Sequence, residues 1–104
     1  MPPNNIQSLQ TAIKALHGCN SRYVESVPVD EVFEGRPAWR GTVEVFYLFG
    51  HARAARAYAW QYEEGKETKT VVVLEIPPVN SPQTAVQVAV ASKGTKTRER
   101  DKNA

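Results

Sequence analysis

Apolar positions change period along this chain. Between residues 4 and 17 they recur at spacings of three and four: Ile6, Leu9, Ile13 and Leu16 form a stripe that includes Ala12, while Gln7, Gln10, Thr11 and Lys14 point away from it. That spacing predicts an amphipathic helix. Asn4 or Asn5 supplies a capping side chain at its start, and Gly18 sits where a left-handed terminator is expected.

From residue 22 the period becomes two. Residues 22–33 predict an extended but imperfect segment, in which Tyr23, Val27, Val29 and Phe33 share a parity interrupted by Glu25 and Glu31. Pro28 cannot donate to a ladder, so this strand belongs at an edge or carries a bulge. The turn EGRP (34–37) reverses the chain. Residues 39–49 are the clearest strand, with Trp39, Val43, Val45, Tyr47 and Phe49 on one face. Phe46 and Leu48 make its outer end apolar on both sides, and Gly41 is a candidate bulge.

Residues 55–62 form a return arm, with Tyr58, Trp60 and Tyr62 on one face and Ala55, Ala57 and Ala59 on the other. The alanine face is expected beneath the helices, because small side chains let a helix approach closely. The opposite assignment, with Tyr58 and Trp60 in the core, stays open, since a slip of one residue exchanges the faces. EEGKE (63–67) is a turn, and residues 68–76 form a strongly β-prone strand. Ser81 then Pro82 is a helix start: a capping hydroxyl followed by proline in the first turn. The segment to Lys93 reads as a helix with Val86, Ala89 and Val90 buried, although its alternation also suits a strand.

The expected fold is α+β, in the order α-β-β-β-β-α, an antiparallel sheet with two helices on one face. One domain over residues 1–92 accounts for the length. Of 13 basic and 11 acidic residues, five and two respectively fall after Ser92, leaving eight and nine in the body. The body is thus about −1 and the tail +3. Residues 93–104 are expected to form a disordered basic tail. The single Cys19 excludes an intrachain disulfide. No charged leader precedes an apolar run, and no stretch approaches the roughly 18 apolar residues of a membrane span. A soluble, cytoplasmic protein without membrane attachment is the expectation.

The runs HGC (17–19), GHARAARAYAW (50–60) and IPPVNSPQTAV (76–86) resemble a family of small bacterial proteins with which no activity is associated. The resemblance covers roughly residues 12–91 and implies a bacterial, soluble, single-domain protein, with no catalytic or binding residues attached. The element order also resembles the double-stranded RNA-binding domain. That domain has one strand fewer and a lysine cluster opening its last helix, where NSPQTA (80–85) here has no cation.

Little in the chain suggests catalysis. His17 and Cys19 are near neighbours, but a zinc site needs about four ligands, and only His51 remains to join them. Cys19 as a nucleophile would need a histidine within hydrogen-bond reach and a third group to orient it. There is no glycine-rich phosphate loop and no GxSxG elbow. No cofactor or metal is expected.

The leading expectation is a non-enzymatic protein-interaction module, including self-association, anchored by Tyr47, Tyr58 and Trp60 on an uncovered sheet face. The second is a nucleic-acid-binding protein. It would use His51, Arg53 and Arg56 at the hairpin tip and Lys96, Arg98 and Arg100 in the tail.

Overall fold

The computed structural model describes residues 4–91. It has the predicted class and order. Helix α1 (Ile6–His17) is followed by strands β1 (Asn20–Phe33), β2 (Arg36–Phe49), β3 (Arg56–Glu64) and β4 (Glu67–Leu74), and helix α2 spans 82–91. The four strands form an antiparallel meander in the order β1-β2-β3-β4. The predicted tail, with Lys96, Arg98 and Arg100, lies outside the described residues.

The end of α1 and the start of α2 follow from local chemistry. Gly18, at φ 69°, closes α1 by donating its N–H to the Lys14 carbonyl (2.8 Å). Asn5 is the N-cap residue, but its side chain makes no capping bond; its Nδ2 donates to Gln61 Oε1 (3.3 Å) and ties the helix start to β3. At α2, Ser81 Oγ accepts from the Thr84 N–H (3.1 Å), and Thr84 Oγ1 accepts from the Ser81 N–H (3.0 Å). This reciprocal pair is a capping box with threonine in the usual Glu position.

The strand that carries Pro28 lies at the sheet edge, as expected, but the irregularity predicted at Gly41 falls elsewhere. Gly41 is in register opposite Val29. The ladder breaks instead between Tyr23 and Glu25, leaving Val24 as an extra residue, and again between Glu31 and Val32. The first break explains the disturbed parity of β1. Tyr23 faces the same side as Phe46, whereas Val27 and Val29 face the side of Val43.

The helices do not share a face. Leu9 and Ile13 of α1 cluster with Phe46, Leu48, Ala57 and Ala59. Ala85 and Val86 of α2 cluster with Val29, Val43, Val45, Tyr58 and Trp60. The sheet is therefore held between the helices, alanines toward α1 and rings toward α2. The reason is compositional. Val43, Val45 and Phe46 make the centre of β2 apolar on both sides, and Val71 to Leu74 do the same for β4, so each side needs its own cover.

Neither helix covers a whole face. Strands β1 and β2, of 14 residues each, run along most of the 39 Å length of the molecule, whereas α2, ten residues long, spans about 15 Å. The ring-bearing face is left open at the end where β2 finishes. On the α1 side, Leu16 is 62% exposed. The buried stripe, centred on Leu9 and Ile13, continues through His17 and leaves Leu16 on the flank.

Candidate functional site

The open end of the α2 face carries one row of side chains across all four strands. Arg22 of β1 is opposite Tyr47 of β2, and Tyr47 is opposite Arg56 of β3. Glu75, just past β4, donates its N–H to the Arg56 carbonyl (2.9 Å) and so continues the row. Phe49 and Asn20 form the next row outward.

Tyr47 and Phe49 are 40% and 49% exposed. Their rings meet edge to face at 5.3 Å between centroids. The Arg22 guanidinium lies 5.7 Å from the Tyr47 ring centre, within cation–π range. Arg22, Arg53 and Arg56 are all exposed. Among the described residues, salt bridges join Arg40 to Asp30 and Lys69 to Glu67, and none engages these three arginines. Glu75, the carboxylate at the end of the row, accepts the Tyr58 hydroxyl. Burial first, and that bond second, push the Tyr58 phenol well above its ordinary value.

The loop between β2 and β3 is organised by His51. Its Nδ1 accepts from the backbone N–H groups of Arg53 (3.0 Å) and Ala54 (3.1 Å). That arrangement puts the ring proton of the neutral imidazole on Nε2. The His17 ring lies 6.0 Å away, at 73°. Burial, and then the neighbouring His51, hold His17 below the usual imidazole range. Tyr47, Gly50, His51, Arg53 and Ala55 line an open concavity of about 320 Å³ beside the aromatic pair.

The structure separates the residues predicted as contacts. Tyr58 and Trp60, at 1% and 3% exposure, are core residues beneath α2 and cannot anchor a partner. The sequence could not fix which face the second helix would cover. Tyr47 is open. His51, Arg53 and Arg56 do come together at the end of the sheet, with Tyr47 beside them. Arg22 and Phe49 join them and were not singled out from sequence. The length mismatch between a short second helix and a long strand was the available signal.

Other chemistry is sparse. Cys19 is buried in the apolar cluster of Leu9, Ile13 and Leu48. Among the described residues no three His, Cys, Asp or Glu side chains gather as a metal site, and no helix is long and apolar enough to cross a membrane. Glu44 is buried, and Ser26 donates to it, itself hydrogen bonded to Tyr23 (2.6 Å). A groove of about 530 Å³ between α1 and the start of β1 is lined by Gln7, Gln10, Thr11, Lys14, Ala15, Asn20 and Ser21.

The two sheet edges differ. On β1, the bulge at Val24, Pro28 within the strand, and Gln10 Nε2 bonded to the Ser21 carbonyl (3.0 Å) all interrupt the edge. On β4 the register to β3 is unbroken from Glu67 to Leu74. Alternate residues of an antiparallel strand turn both backbone groups to one neighbour. With the Glu75 N–H aimed at Arg56, residues Thr68, Thr70, Val72 and Leu74 aim theirs away from β3. The Leu74 carbonyl accepts the Ile76 N–H (2.9 Å), and the rest face outward from the outermost strand.

No family model, curated protein or solved structure matches the chain.

Proposed function

We propose that the chain is a non-enzymatic protein-interaction module that pairs with a second copy of itself along β4. The bacterial origin implied by the family resemblance, and the cytoplasmic setting expected from the sequence, belong to this reading. The contrast between the two edges carries it: one is interrupted three times, and the other presents an uninterrupted row of backbone donors and acceptors. Its side chains, Val71 to Leu74, are only half-buried, so a further strand would complete their cover on both faces. β-Branched strands of this kind template pairing.

With a two-fold axis at Thr70, the outward backbone groups of Thr68, Thr70 and Val72 would pair with those of the second copy. Light scattering at high protein concentration tests the reading, with the mass of two chains expected. Thr70→Pro removes an outward N–H and leaves the β3 ladder intact, so it should return the mass to one chain with an unchanged circular dichroism spectrum. A native chain that stays monomeric at high concentration would end the proposal.

A further inference from the structure

The Arg22–Tyr47–Arg56 row lies apart from the β4 edge and has a chemistry of its own. We propose that this row, with Phe49 and Arg53, is a binding site for single-stranded nucleic acid.

Three observations support this. First, the rings are exposed, with Phe49 set edge to face against Tyr47 and the Arg22 guanidinium over the Tyr47 ring. Bases stack on aromatic rings and guanidinium planes alike, whatever the sequence. Second, the cations are placed for phosphates. Arg22 and Arg56 flank Tyr47 on adjacent strands, about 5 Å away on either side. Arg53 extends from the adjoining loop, where the His51 Nε2–H is a further donor. Third, the surface between Tyr47 and that loop is a shallow, open and mainly polar concavity along which a strand can lie.

The nearby carboxylates leave the site net positive. Glu75 accepts the neutral Tyr58 hydroxyl, a bond that leaves a carboxylate its charge, and Glu25 lies opposite Val45 on the same face, so two acids stand against three guanidiniums. A single strand fits better than a duplex, because only unpaired bases expose their faces to the rings.

The test is fluorescence anisotropy of the full chain with a labelled single-stranded oligonucleotide of about 12 nucleotides at low salt, a length that exceeds the smallest single-strand sites. The native chain should bind, release as salt rises, and bind a duplex of equal length more weakly. Phe49→Ser should weaken binding roughly tenfold, and Arg56→Gln should weaken it and flatten the salt dependence by about one charge. Both side chains are exposed, so the fold should persist; Arg22→Gln gives an independent reading of the same row. Absence of binding would overturn the proposal, as would binding indifferent to all three substitutions. So would equal displacement by inorganic polyphosphate, which would mark a charge-only contact, or by polyglutamate, which would mark an acidic protein partner. None of these outcomes depends on whether β4 pairs, so failure here is separable from failure of self-association.

Discussion

The ring of Trp39 lies over Gly41, two residues along the same strand. A Cβ built on Gly41 would come within 3.0 Å of Trp39 Cη2 and 3.2 Å of Cζ2. Trp39 in turn packs edge to face on Trp60, at 5.4 Å between centroids, and Trp60 is buried beneath α2. The space above Gly41 is therefore filled from one side and closed from the other. The glycine is needed for its missing side chain, because its backbone is ordinary strand.

Gly41→Ala should accordingly destabilise the protein. Reduced unfolded-chain entropy favours alanine by at most about 1 kcal/mol. Displacing Trp39 from its contact with Trp60 costs about 1–3 kcal/mol. A net loss of about 1 kcal/mol is expected, read as a lower midpoint in urea with a shift in tryptophan fluorescence. An unchanged midpoint would mean that the Trp39 ring has room to retreat.

Leu9 and Leu16 lie about two turns apart on α1 and should respond differently. Leu9 is fully buried against Phe46, Leu48 and the alanines. Leu9→Ala should cost about 2–5 kcal/mol. Leu16→Ala, at an exposed position, should change stability by no more than about 0.5 kcal/mol. Chemical denaturation of the two variants tests which way α1 faces. Equal losses would put the whole predicted stripe in the core.

Those two leucines also show how far the sequence could be read. Helical spacing identified α1 and its stop at Gly18, and the Ser81–Pro82 start of α2, because caps and periods act over a few residues. It overstated the stripe at Leu16, since where a helix meets a sheet depends on the sheet's extent. Strand alternation placed Ala57 and Ala59 opposite Tyr58 and Trp60. It could not say that each face would receive a helix, because parity separates two sides without naming what covers them. The doubly apolar runs Val43–Phe46 and Val71–Leu74 did carry that information. Arg53 and Arg56 could be grouped because they are near in sequence. Arg22 reaches Tyr47 only through the β1–β2 register, and that register depends on the extra residue at Val24; the interrupted parity allowed a bulge in β1 without placing it.

Tyr58 sets an alkaline limit. Its folded-state phenol titrates above the ordinary 10.0, through burial and its bond to Glu75. A raised value means that the folded state holds the proton more tightly than the unfolded chain. That contribution is complete below pH 10.0 and is lost as the pH rises past it. Stability should therefore fall above about pH 10. Tyr58→Phe should flatten that fall while lowering stability at neutral pH, because Glu75 loses its donor. Denaturant midpoints across the alkaline range measure both effects. A variant with the native pH dependence would assign the limit to another group.

His17 sets the acid limit by the converse sign. Burial, followed by the proximity of His51, lowers its value from the ordinary 6.5. The unfolded chain therefore takes up the proton first, and stability that is complete above pH 6.5 is lost as the pH falls through the folded-state value. The His17 ring lies 6.0 Å from that of His51, which holds the β2–β3 loop through the Arg53 and Ala54 N–H groups, so a proton on His17 is costly in the folded state. Denaturant midpoints should fall as the pH drops below 6.5, and His17→Gln should reduce that fall. If His17→Gln loses stability on acidification just as the native chain does, burial of this imidazole is not what limits the fold in acid.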